Sequence, residues 1–216
     1  MTRWLITPVL LALAMPTVAA TNTALRFDTV FTTAGEPADV HFRAVYAGRD
    51  GQHVVDIWRD GDRRIKRVTD GLFETYAVRA PRSPDFDLVV LDRRRKISTR
   101  IDRTNLYRLG NFANWFDLGH GLRQPKSAYS IVNGAAPANA SRLVEPCRWF
   151  DLKEVNRVTH ICWSRASRLP ISIVGTNGVT LWRVTAIETG PIDPAMFAVS
   201  DAGFIKVDAS RDVSGD

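Results

Sequence analysis

From residue 40 onward the chain alternates apolar and polar positions. Val40, Phe42, Ala44 and Tyr46 fall on one side of that alternation and His41 and Arg43 on the other. A period of two over such a run predicts a strand with one buried face. A turn at 48–51 leads into a second strand at 52–59. Asp60-Gly61 and Asp70-Gly71 then separate runs at 63–69 and 72–79. An Asp-Gly pair between extended runs signals a hairpin, because both residues tolerate positive φ. The result is a four-strand meander. Residues 86–91 follow, apolar on both faces except at Asp87. A turn at 92–95 then precedes 96–101, where Ile97, Thr99 and Ile101 oppose Lys96, Ser98 and Arg100.

The period changes near Thr104. Leu106, Leu109, Phe112, Ala113 and Phe116 approximate the spacing of one helix face, with Trp115 beside it. A helix is expected over 104–118, capped by Asp102 or Thr104 and stopped by Gly119 and Gly121. Residues 125–140 read as a long flexible loop, and 25–33 as extended or irregular. Strands resume at about 141–150, 157–164, 169–174 and 179–187. A helical turn near 195–197 follows, and the end of the chain looks frayed from 208. Neither a repeat nor a linker is visible, so roughly ten strands in one domain is the economical reading.

The N-terminus adds a compartment. Arg3 precedes an apolar run over 4–15, Pro16 breaks it, and Val18-Ala19-Ala20 supplies small residues for a peptidase. The run is too short to span a bilayer as helix, which takes about 20 residues. Residues 1–20 therefore read as a signal peptide cleaved near Ala20/Thr21, leaving a soluble domain over 21–216 in the periplasm. The 216 residues include 29 basic and 23 acidic ones, a formal net charge of +6, and the leader removes only Arg3. That balance is too mild for a nucleic-acid binder, which usually carries a dense basic stripe.

In an exported chain Cys147 and Cys162 read as a disulfide. If they face each other across a hairpin, Trp149 opposes His160 and Phe150 opposes Thr159. Trp149 and His160 then share the disulfide's face. Closing a loop of about 15 residues contributes on the order of 3 kcal/mol in the chain-entropy model.

Catalytic signals are sparse. His41, His53, His120 and His160 are scattered without metal spacing, and no nucleophile elbow or phosphate loop occurs. The expectation is a non-enzymatic protein with no metal and no cofactor. Two basic runs supply Arg63, Arg64, Lys66 and Arg67, then Arg93, Arg94 and Arg95. They are either solvated strand edges that resist aggregation or a docking surface for lipid head groups or an acidic partner. The aromatic residues pose a similar choice. A sheet curved over an aromatic-faced helix is either filled by it or leaves a gap for an apolar ligand.

The C-terminal third carries a resemblance. His160-Ile161-Cys162-Trp163-Ser164, Leu169-Pro170-Ile171-Ser172-Ile173, Gly178 and Leu181-Trp182 precede an Asp193-Pro194-Ala195-Met196-Phe197 tail and a final Gly203-Phe204-Ile205-Lys206-Val207 run. With the basic meander around 63–79, this resembles the LolA-like (RseB-like) superfamily over residues 40–207. That group includes the periplasmic carrier of outer-membrane lipoproteins and related lipid-sensing regulators. The resemblance implies a mainly β (α+β) fold, a curved antiparallel half-barrel sheet wrapped over one or two helices. It also implies an apolar cavity for acyl chains, for which Tyr46, Tyr76, Phe112, Trp115, Phe116 and Trp182 are the candidate wall. The expected partner is an acyl lipid or a lipidated protein, with an envelope membrane protein as a further candidate and the chain itself a monomer. The alternatives are an envelope-sensing module that binds a membrane-anchored protein through its basic edge and, more distantly, a hydrolase with an unrecognised site.

Overall fold

The structure, a computed structural model, describes residues 25–81, 83–101, 114–138, 140 and 142–209. The first half is a meander of six strands: β1 (Asp39–Ala47), β2 (Gln52–Asp60), β3 (Arg64–Thr69), β4 (Phe73–Arg79), β5 (Phe86–Asp92) and β6 (Ile97–Ile101). At the β3–β4 turn both central residues, Asp70 and Gly71, have positive φ (53° and 69°). Such a turn matches the twist of the flanking strands. The second half contributes β7 (Ser130–Asn133), β8 (Arg148–Glu154), β9 (Arg157–Trp163), β10 (Pro170–Val174) and β11 (Thr180–Thr189).

Antiparallel pairing of β1 with β11 joins the halves into one open sheet. Its order is β12-β6-β5-β4-β3-β2-β1-β11-β10-β9-β8-β7. The edge strand β12 (Ile205–Asp208) runs parallel to β6, and the other pairings are antiparallel. The mainly β expectation is met, with 12 strands where about ten were expected.

One face of the sheet carries the core. Phe42 and Ala44 on β1, Ile57 on β2, Ile65 on β3 and Leu88 on β5 join one cluster with Ile173, Ile161 and Phe150 from the second half. Two short helices pack into it. The single turn α1 (Phe27–Val30) inserts Phe27 and Phe31, the latter edge-on to Trp163 at 5.4 Å. The helix α2 (Trp115–His120) brings Leu118, followed by Leu122. Asn114 caps α2 by accepting from Phe116 N at 2.7 Å, and Gly121 closes it in the left-handed region.

The opposite face is covered in part by the C-terminal segment. After a 3-10 turn at Pro194–Phe197, Arg64 lies over the Phe197 ring at 4.7 Å and Arg93 over Phe204 at 5.6 Å. Ser98 Oγ donates to Asp201 at 2.7 Å just before β12 docks. This cover lets β4 and β5 bury residues on both faces, including Tyr76 and Leu91.

Four expectations change. Residues 27–30 form a helical turn where extended or irregular chain was expected, because Phe27 and Phe31 meet the core together one turn apart. β7 lies inside the expected 125–140 loop, held by pairing to β8. The strand expected at 141–150 starts only after Pro146 and runs to Glu154, so the hairpin closes through Val155 and Asn156. That tight closure sets Trp149 opposite Cys162 and Asp151 opposite His160, two residues from the expected register. A shift of two preserves the faces. Cys147 and Cys162 are accordingly joined on the expected face, with Cα atoms 5.4 Å apart, and pack with Trp149 and Val174. Residues 1–20, and most of the helix expected at 104–118, lie outside the described residues.

The disulfide closes a 15-residue separation. Denatured, unreduced protein should therefore titrate no thiol. Cys147→Ser should lower unfolding stability in urea by roughly 2–5 kcal/mol. Two free thiols in exported protein would refute the pairing.

Candidate functional site

The core face is not fully covered at the end where β1 finishes and β9 begins. There the chain leaves α2 at Gly121, and residues 122–126 pass over the sheet without closing onto it. A cleft of about 790 Å³ results. Its floor is apolar: Tyr46 on β1, Trp182 on β11, Ile173 on β10, Ile161 on β9 and Leu152 on β8, with Leu122 above them. Gly121 is required for this geometry twice over. Its φ is 69°, and a Cβ there would stand 2.6 Å from the Trp182 ring. Trp182 is itself fixed by donating Nε1–H to Pro170 O at 2.9 Å.

The rim is charged. Asp117, Arg123, Lys126, Glu154 and Arg157 surround the opening. Arg123 Nε donates to Asp117 at 3.1 Å, and Arg157 Nε to Glu154 at 2.8 Å. Arg157 and Ser127 together hold the Glu154 carboxyl below its ordinary value, whereas burial raises that of Asp117. Arg67 stands on the core face of β3 and donates to Leu118 O at 3.2 Å, linking the sheet to α2. Burial lowers its guanidinium to about 10, so it stays cationic at neutral pH. The cleft thus offers apolar contact at its floor and oriented charge at its lip.

The helix above the cleft is held by a buried polar cluster. Arg59 Nη1 donates to Glu36 Oε2 at 2.8 Å and meets His120 Nε2 at 2.6 Å. His120 Nδ1 faces Phe116 O at 3.0 Å. A carbonyl only accepts, so Nδ1 carries the proton, while Nε2 faces both Arg59 Nη1 and, at 3.2 Å, the Glu36 carboxylate. Burial holds the His120 pKa below its ordinary value, in keeping with a neutral ring. His120 stacks on Phe116 at 4.2 Å, completing the seat of α2.

The aromatic candidates separate. Tyr46 and Trp182 meet at 6.2 Å and line the cleft. Trp115 instead packs edge-on to Phe86 at 5.4 Å with Arg79 over it, and Phe116 packs against Phe27 and His120. Neither belongs to the cleft wall. Phe112 lies outside the described residues. Tyr76 is on the other face of the sheet, because it pairs with Lys66 and Val89 while its neighbour Ala77 faces the core. Its hydroxyl donates to Glu74, and burial pushes the phenol up.

The basic candidates likewise do not form one surface. Arg63 and Arg64 pair with Asp60, and Arg95 with Asp92. Lys66 lies 5.6 Å from the Trp58 ring centre and 3.6 Å from Met196 Sδ. Arg93 bonds Glu74 at 2.7 Å and Ser200 O at 3.3 Å. Arg94 is exposed, and Arg67 turns to the opposite face. Most of these cations bind neighbouring turns or the C-terminal segment, which explains their density without an external partner. The cleft residues missed from sequence include Leu122, Lys126, Leu152, Glu154, Ile161 and Ile173. The one available signal was an apolar and basic run directly after the helix-ending Gly121. Among the described residues no group of three or more His, Cys, Asp and Glu could hold a metal ion.

No protein-family model matches the chain, and no curated protein sequence matches it.

The buried cluster has a pH signature. The folded pKa of His120 lies below the unfolded value of about 6.5, so its contribution is complete above that pH and is lost as pH falls. His53 has the opposite sign. Asp70 and Asp50 raise it, so its contribution is complete below about 6.5 and is lost as pH rises through the raised value. Of these two histidines, only His120 changes the balance between pH 6.5 and 5. Urea unfolding should show stability falling over that window in wild type and falling less in His120→Gln. Equal pH slopes would contradict the assignment. Glu36→Gln, which leaves Arg59 buried without its counter-charge, should cost roughly 3–5 kcal/mol at pH 7.

Proposed function

We propose that the protein is an exported, non-enzymatic carrier that holds the acyl chain of a lipid or lipidated protein in the cleft between the sheet and α2. The observation that carries this reading is the cleft itself: an apolar floor with Tyr46 and Trp182 in it, under a lip of paired charges. Its volume of about 790 Å³ lies within the range of small-molecule sites, roughly 300–1,000 Å³. Each methylene transferred from water to such a floor contributes about 0.8 kcal/mol, so affinity for an acyl chain grows with length. The charged lip suits the polar end of an amphiphile, which stays at the water boundary.

In the same reading the open sheet is a half-barrel curved over α1 and α2, as the LolA-like resemblance implies. Support comes from the single packed cluster that links strands of both halves to Phe27, Phe31 and Leu118. A periplasmic location is supported by the leader-like residues 1–20 and by the disulfide. The sensor alternative would use the basic edge, and those residues are largely engaged within the chain. The carrier reading is therefore preferred.

Two measurements test it. Protein secreted by a Gram-negative host should begin near Thr21, and intact Met1 protein in the membrane fraction would overturn the export step. A fluorescent fatty acid should bind the disulfide-intact chain saturably. Leu181 lines the cleft and is 38 % exposed, so Leu181→Glu should fold and lose that binding. Tyr46→Ala should weaken it about tenfold for each ~1.4 kcal/mol of contact removed. A folded wild type that binds no acyl probe saturably would end the proposal.

A further inference from the structure

β8 and β9 run the length of the core face, and the cleft occupies only one end of them. Toward the other end of the pair, at Arg148 and Trp163, is a second and smaller opening. It encloses about 380 Å³ beside α1, at the turn from β9 to β10. Its walls are of two kinds. Leu25, Val30 and Phe150 make an apolar side, and Arg148, Arg165 and Arg168 supply three guanidinium groups. Among the described residues no carboxylate lines it.

Arg148 and Arg165 are exposed, but three features set Arg168 and the pocket wall beside it apart from ordinary solvated surface. Arg168 has φ of 55°, a backbone conformation that usually selects glycine or asparagine and costs other residues on the order of 1 kcal/mol. Its Nε is buried and has no hydrogen-bond partner among the described residues. Trp163 also lines the opening, is 2 % exposed, and has its Nε1–H buried without a partner among the described residues. A buried donor left unpaired costs about 1–3 kcal/mol, so two in one pocket call for an acceptor. The turn that carries the arginines is rigid. Ser164 Oγ accepts from Ala166 N at 3.1 Å and Ser167 N at 3.3 Å, and Ser167 Oγ donates to Glu145. Arg148 is braced by donating to Asn133 at 2.8 Å and by lying over the Phe150 ring at 5.4 Å.

We infer that this pocket binds the phosphate of an organic phosphate ester, with Arg148, Arg165, Arg168 and the Trp163 Nε1–H as donors and the Leu25–Val30–Phe150 side against the carbon part. Guanidinium groups match oxyanions through charge-assisted, often bidentate bonds. Three of them with an indole N–H, approaching from different elements, suit a tetrahedral anion better than a planar carboxylate. Thr29 and Thr32, also on the wall, add hydroxyl donors. The inference does not depend on the acyl cleft, since the two openings share no lining residue. Phosphate esters reach such a site from two sources, a soluble metabolite or a lipid head group.

Calorimetry on the disulfide-intact chain with inorganic phosphate and with glycerol 3-phosphate tests the soluble source. Flotation with phosphatidylglycerol-containing vesicles, against pure phosphatidylcholine vesicles, tests the head group. Binding should be saturable in at least one arm and should weaken with added salt. Arg168→Asn keeps a residue that accepts the left-handed backbone, and Arg165→Gln alters an exposed side chain, so both should fold. Each should weaken binding about tenfold or more. Trp163→Phe, which keeps a ring but removes the N–H, should weaken it several-fold. Arg49→Gln, an exposed arginine in the β1–β2 turn that lines neither opening, should leave it unchanged. Glycerol 3-phosphate binding with this variant pattern supports a soluble ester, and vesicle binding alone with the same pattern supports a head group. No saturable response in any arm, or equal binding by wild type and folded Arg168→Asn, overturns the inference.

Discussion

The structure turns on a guanidinium placed inside the core. Arg59 occupies an inward position of β2 that alternation would give to an apolar residue, and it is 3 % exposed. Among the described residues only Nη1 is satisfied, by Glu36 and His120, while Nε and Nη2 find no partner. A buried charge in that state tolerates no loss of its counter-ion. The three residues come from three places: the segment before β1, the second strand, and the last turn of α2. α2 is a helix of 6 residues, far too short to be stable by its own hydrogen bonds. Its position is therefore set by what it docks against. Gly119 lets the helix come down onto Arg59 and Ile65, whose side chains stand 3.1 and 3.2 Å from where a Cβ would be. Hydrophobic burial supplies the bulk of stability, but it is non-directional. The polar cluster selects one seat for α2, and with it the path of residues 121–126 that forms the cleft roof.

The second constraint is that the sheet is buried unequally. On β4 and β5 both faces are packed, one against the core and the other in part beneath the C-terminal segment. Arg64, Lys66 and Arg93 meet Phe197, Met196, Ser200 and Phe204 across that outer face. Long cationic side chains are suited to this because their stems pack while their heads bond. The parallel strand β12 then covers the β6 edge, so the first meander does not end in a long unpaired strand.

These two features explain which parts of the fold were legible in the sequence. The first six strands lie within a residue or two of where alternation and Asp-Gly turns put them, since those signals are local. β10, buried at all five positions, has no alternation, yet it was placed to within a residue because it is short and apolar. The β8–β9 register was misplaced by two because the disulfide was taken to join directly opposed residues. Cys147 instead precedes the strand, and the tight turn at Val155 and Asn156 sets the pairing. Tyr76, a candidate for the wall of the cavity that the resemblance implies, is turned to the outer face. Nothing local shows that a segment more than a hundred residues later covers the other face. The two arginine runs look like one kind of feature in sequence, but alternation sends Arg67 to the core face and Lys66 to the other. Of the candidate wall, Tyr46 and Trp182 were legible because they oppose each other across β1 and β11.

The two openings lie toward opposite ends of the β8–β9 pair, one lined by Glu154 and Arg157 and the other by Arg148 and Trp163. At the Glu154–Arg157 end two of the cations have an acidic partner, Arg157 with Glu154 and Arg123 with Asp117, and Lys126 adds a further positive charge. Much of the charge at that lip is therefore compensated within the chain. At the Arg148–Trp163 end the charges are of one sign and two buried donors lack acceptors. In the low dielectric beside Phe150 and Trp163, unbalanced charge of that kind is costly by itself and attractive to an anion for the same reason. The same strands therefore present two chemically different sites, and the difference lies in whether each end brings its own carboxylates.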